Sequence, residues 1–146
     1  TMANADLVFR LANWIVLVGW LALLLAPLKR EALVLMARIA AAAVAAIYVT
    51  LLVRGIAMGP GLPEGAGFST LDGVVALLSR REAILGGWVH FLAFDLFVGS
   101  WIVEDAPRAG VPHWLVVPML GVTLMAGPAG LLIYLLVAAG FRARKR

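Results

Sequence analysis

Long apolar runs separated by short polar breaks set the pattern of the chain. Residues 11–28 carry no charge, residues 32–53 only Arg38, residues 83–103 only Asp95, and residues 109–141 none. A bilayer core of about 30 Å is crossed by about 20 mostly apolar helical residues. The pattern therefore predicts an all-α integral membrane four-helix bundle, one domain over residues 1–146, with spans at about 7–27, 32–53, 83–103 and 114–139. The first run is read as a retained span rather than a signal peptide, because no basic run precedes it and Pro27, Leu28, Lys29 and Arg30 follow in place of a small-x-small site.

Between the second and third spans, Gly59 to Gly67 is rich in Gly and Pro and reads as a loop. Ser69 or Thr70 then offers a helix cap, with Asp72 in the first turn and Leu71, Val74, Val75 and Leu78 on one face. This is the pattern of a short amphipathic helix lying on the membrane surface before the third span. The alanines of residues 40–46 make a thin helix face that admits a close neighbour.

Composition narrows the class. The chain is 64% hydrophobic and 14% charged, against about 45–50% and about 25% in soluble domains, which excludes an ordinary soluble fold. Without cysteine there are no disulfides, thiolate metal sites or Cys nucleophiles. Four spans put both ends on one side, with Arg10, Arg54, Arg80, Arg81, Arg142, Arg144, Lys145 and Arg146; Lys29, Arg30 and Arg108 lie across the membrane. The positive-inside rule then places both termini in the cytoplasm. The basic tail reads as a topology anchor on anionic head groups, not as a nucleic-acid contact. The alanine-rich composition and compact loops point to a bacterial inner membrane.

Polar groups within the spans are the candidates for chemistry. At about 1.5 Å of rise per residue, Arg38 lies about 9 Å and Asp95 about 12 Å from the same membrane face. That match predicts an Arg38–Asp95 pair, the alternative being an arginine that snorkels alone. A second layer at about 7–10 Å from the other face holds Asn13, Tyr48, His90 and Tyr134. It is either a cavity for a polar head group or a set of interhelical hydrogen bonds. His90 and Asp95, five residues apart, point about 140° apart around their helix, so they flank a ligand or meet different helices. Trp88 and Phe94 lie beside them, with Trp88 also fit for interface anchoring. Pro118 and Pro128 kink the fourth span, either opening a groove or serving packing alone. Glu104, Asp105, Arg108 and His113, with Asp95 below, form a carboxylate and imidazole cluster whose donors suit iron, manganese or zinc, but the spacing matches no metal motif; a solvated turn is the preferred reading and no metal ligand is assigned.

Residues 87–101, GWVHFLAFDLFVGSW, resemble the signature of the abscisic-acid-deficient-four family, the neoxanthin-synthase-like membrane proteins of plants and their bacterial relatives. Leu71 to Leu78, His113, Pro118 and Gly127 to Gly130 fit the same pattern in order. The chain departs from it at Ser100, where relatives often carry arginine. The resemblance implies a four-span protein linked to xanthophyll metabolism, in which an epoxide opens to an allenic alcohol with no net oxidation. An acid and a base could serve such an isomerisation. His90 and Asp95 are the matching catalytic candidates, and Asn13, Arg38, Tyr48, Trp88, Phe94, Pro128 and Tyr134 the ligand-binding ones.

The expected function is carotenoid or isoprenoid handling, as an acid–base isomerase or an accessory factor, with a bound carotenoid the one cofactor candidate. The alternative is a non-catalytic subunit of a larger pigment–protein complex. A transporter ranks last, for want of an inverted repeat. Expected partners are membrane lipids, a carotenoid, and membrane proteins or further copies of the chain.

Overall fold

The computed structural model describes residues 2–145, which contain six α-helices, one 3-10 turn and no β-strand. Helix α1 spans Met2–Leu24, α2 Arg30–Met58 and α4 Arg81–Ala109. All three are long and apolar enough to cross a membrane. A 3-10 turn at Ala26–Leu28, with Pro27 in its first positions, joins α1 to α2. The short helix α3, Leu71–Leu77, forms where expected, with the Thr70 hydroxyl accepting the Gly73 amide at 3.0 Å. Leu71, Val75 and Leu78 are left exposed.

The three long helices meet where side chains are small. An added Cβ at Gly19 would run into Leu96 of α4 and Ala40 of α2, and one at Gly99 would strike the Trp20 ring. Small residues let apolar helices approach closely in a bilayer, where packing rather than water drives association. Ala12, Val16, Ala37, Val44, Val89 and Leu96 fill the resulting core.

The expected fourth span is not one helix. Residues 114–139 divide into α5, His113–Met125, and α6, Gly127–Ala143, with a break at Ala126 (φ −153°, ψ 76°). Pro128 causes it: proline has no amide to give the preceding turn and its ring clashes with the carbonyl four residues back, but it is at home in the first turn of a new helix. At about 1.5 Å per residue, α5 is about 20 Å long and α6 about 25 Å, both shorter than a bilayer core.

The two short helices fold back on each other as a hairpin. An added Cβ at Gly130 would collide with the Thr123 backbone, seven residues earlier in the chain. Gly127 lies against Asp95, midway along α4, whereas Tyr134 and Arg142 bond Asp105 and Lys145 lies against Gly110 at the end of α4. α6 therefore runs alongside α4 in the same direction. The ends of the described chain consequently lie at opposite ends of the bundle, which corrects the four-span arrangement with both termini on one side.

Candidate functional site

Helix α4 carries most of the polar residues, and its faces sort them. At 100° per residue, His90, Phe94, Phe97 and Glu104 share one side, while Asp95 is about 140° from His90 and about 180° from Glu104. The first group faces α2 and the exposed surface beside it.

On that side the His90 ring is edge-on to Tyr48 of α2 at 5.3 Å and tilted on Phe94 at 4.7 Å, with Phe91 at 6.0 Å. His90, Phe91, Phe94 and Phe97 are all exposed at the protein surface, and the imidazole forms no hydrogen bond among the described residues. Further along, the Arg38 guanidinium lies over the Phe97 ring at 5.8 Å. It donates to the Ser100 hydroxyl at 3.3 Å and to Glu104 Oε2 at 2.5 Å. The face is thus an aromatic stripe with an imidazole at one end and a half-buried ion pair at the other, fourteen residues or about 21 Å apart along α4.

The expected Arg38–Asp95 pair does not form. Asp95 points to a different side of α4, and Arg38 instead meets Ser100 and Glu104, further along that helix. Ser100 accepts a hydrogen bond from Arg38 and donates its own to the Phe97 carbonyl at 2.7 Å.

Asp95 faces the start of α6. Its carboxylate rests where a side chain at position 127 would be, so glycine lets the two approach without the carboxylate moving. A carboxylate at a helix N-terminus is favoured by the exposed amides and the helix dipole. Pro128 follows it in the first turn of α6. His90 and Asp95 therefore meet different helices and do not converge on one point.

The remaining candidates are dispersed. Asn13 donates to the Phe9 carbonyl of its own helix at 2.7 Å. Trp88 stacks near Phe9 at 5.9 Å, beside an open cleft of about 600 Å³ that also holds the Asp6–Arg81 ion pair. Tyr134 is fully buried at the other end of the molecule, donating to Asp105 Oδ2 at 2.5 Å and standing edge-on to Trp101 at 5.6 Å. Of the expected layer of Asn13, Tyr48, His90 and Tyr134, only Tyr48 and His90 come together, because the fold-back carries Tyr134 away.

The segment expected to be a solvated turn is largely helical, since α4 continues to Ala109. Glu104 bonds Arg38, Asp105 bonds Tyr134 and Arg142, and His113 Nε2 bonds the Leu24 carbonyl at 3.0 Å. No group of three or more His, Asp or Glu side chains placed to hold a metal occurs among the described residues. His113, outside the three long helices, has its pKa lowered by burial and by the Arg30 charge, against an opposing contribution from the Leu24 carbonyl.

Sequence reasoning missed Ser100, Glu104, Asp105 and Phe97. Their phase was available: Glu104 follows Phe97 by seven residues and Ser100 by four, spacings that fall on one helix face. Depth alone, used without phase, chose the wrong carboxylate for Arg38.

A family model described as ABA DEFICIENT 4-like matches residues 7–134. No curated protein and no solved structure shows significant similarity to the chain.

Proposed function

The chain is a member of the ABA DEFICIENT 4-like family, and from that premise we propose that it handles an oxygenated carotenoid or related isoprenoid on the face shared by α2 and α4. The observation that carries this reading is the exposed His90 imidazole, set among Tyr48, Phe91 and Phe94 without a hydrogen-bonding partner among the described residues. An ionisable group facing hydrocarbon is expensive and usually marks function. A ligand hydroxyl or epoxide oxygen would supply the missing partner, and its polyene would lie along Phe94 and Phe97, whose flat faces suit a conjugated chain.

As a proton carrier, His90 suits an isomerisation without net oxidation. Neutral imidazole gives a proton through one nitrogen and takes one through the other. Asp95 lies on the far side of α4, so in this reading it positions the hairpin tip and does not touch the ligand bound at His90.

A second reading, a non-catalytic subunit of a pigment–protein complex, draws on the exposed alanines Ala42, Ala43 and Ala46 of α2. Such a strip lets another helix approach. The deciding experiment is purification in mild detergent from native membranes, followed by pigment extraction and identification of co-purifying chains. A polyene at fixed ratio to the isolated chain supports the first reading. A colourless chain held stoichiometrically by partner subunits supports the second.

A further inference from the structure

The fold-back redistributes charge between the two ends of the bundle. One end gathers the start of α2, the end of α4, the start of α5 and the end of α6. It carries Lys29, Arg30, Arg38, Arg108, Arg142, Arg144 and Lys145. Its carboxylates are Glu31, Glu104 and Asp105, and two of them are taken: Glu104 by Arg38, Asp105 by Arg142. Among the described residues, five cations remain there against Glu31 alone. At the other end, where the chain begins, Arg10, Arg54, Arg80 and Arg81 are balanced by Asp6, Glu64, Asp72 and Glu82, with Arg81 paired to Asp6.

We infer that the basic end docks on the anionic head groups of the cytoplasmic leaflet, so that the carboxyl-terminal end of α6 is cytoplasmic and the start of α1 lies across the membrane. Several features fit this partner. Lys29, Arg144 and Lys145 are exposed, and Arg108 is exposed on the last turn of α4. All of them flank membrane-embedded helix ends, the positions at which basic residues set orientation. Juxtamembrane clusters of this size bind anionic lipid surfaces through their summed charge. Arg30 is held in place by donating to the Val103 carbonyl at 2.6 Å, which fixes the rim of the cluster to α4. The inference does not depend on the ligand proposed above, since it rests on charge and chain direction alone.

The chain has no cysteine, so single cysteines report sidedness cleanly. Leu62→Cys lies in the loop after α2 and Ala143→Cys at the end of α6, both exposed. Intact cells expressing each variant are treated with a membrane-impermeant maleimide. The expected result is labelling of Leu62→Cys in intact cells and of Ala143→Cys only after permeabilisation. The reverse pattern, or both sites labelled in intact cells, overturns the inference. The head-group contact is read separately, with the full chain reconstituted in phosphatidylcholine vesicles with and without phosphatidylglycerol. Trypsin cleavage at Arg142, Arg144 and Lys145 is expected to slow at least several-fold with the anionic lipid at low salt, and to recover at high salt. Equal cleavage in both vesicles overturns it.

Discussion

The Asp95 carboxylate lies directly against Gly127, and that contact fixes where the last apolar stretch turns round. Because position 127 has no side chain, α6 begins midway along α4 and returns the chain to the end at which α4 finishes. Replacing Gly127 with alanine forces the carboxylate aside; replacing Gly130 with alanine drives a methyl into the Thr123 backbone, which cannot swing away. Gly130→Ala is therefore expected to be the costlier, by about 1–3 kcal/mol as for other overpacked sites, and Gly127→Ala the milder. Reversible unfolding in detergent, followed by circular dichroism, orders the two.

Asp105 fastens the returning helix. It accepts from the buried Tyr134 hydroxyl and from Arg142. Asp105→Ala leaves the hydroxyl buried without a partner, a loss of about 1–3 kcal/mol. Arg142→Met removes an ion pair whose arginine is largely exposed, a change of at most about 1 kcal/mol. Protease susceptibility of α6 is expected to rise clearly in the first variant and little in the second.

Arg38 is coupled to Glu104 rather than Asp95. A double-mutant cycle of Arg38→Met with Glu104→Gln is expected to give a coupling of about 0.5–1 kcal/mol, kept small by partial exposure of both groups. The cycle of Arg38→Met with Asp95→Asn is expected to be additive.

His113 makes stability sensitive to acid. Burial lowers its pKa in the folded chain below the ordinary 6.5, its Nε2 donates to the Leu24 carbonyl, and its Nδ1 is buried without a partner. The unfolded chain therefore takes up a proton first as pH falls. The contribution is complete above about pH 6.5 and is lost as pH drops through the folded pKa. Denaturation midpoints of the wild type and His113→Asn, compared between pH 7.5 and pH 5, are expected to show a steeper fall for the wild type.

The sequence made the three long helices and the capped α3 legible, because each rests on local information: a long apolar run with at most one charge, or a threonine three residues before an amide it can bond. The hairpin was not legible. Pro128 announced a disruption, but a kinked span and a reversal begin with the same missing hydrogen bond. Only the Gly130–Thr123 approach and the Asp105 contacts, both tertiary, tell them apart. The same limit explains the site. His90 with Tyr48 and Phe94 followed from neighbouring positions at similar depth, whereas Tyr134 was assigned to that layer by counting along a helix that does not continue.

The central claim is that His90 anchors an oxygenated polyene on the α2–α4 face. The most direct test is the visible absorption spectrum of the purified protein alongside His90→Phe, which keeps the aromatic surface, and Asp95→Asn, which alters the opposite side of α4. The account predicts a polyene band in the wild type, retained in Asp95→Asn and reduced at least several-fold in His90→Phe, with all three equally folded. An unchanged band in His90→Phe, or no band in the wild type after loading with a xanthophyll, would contradict it.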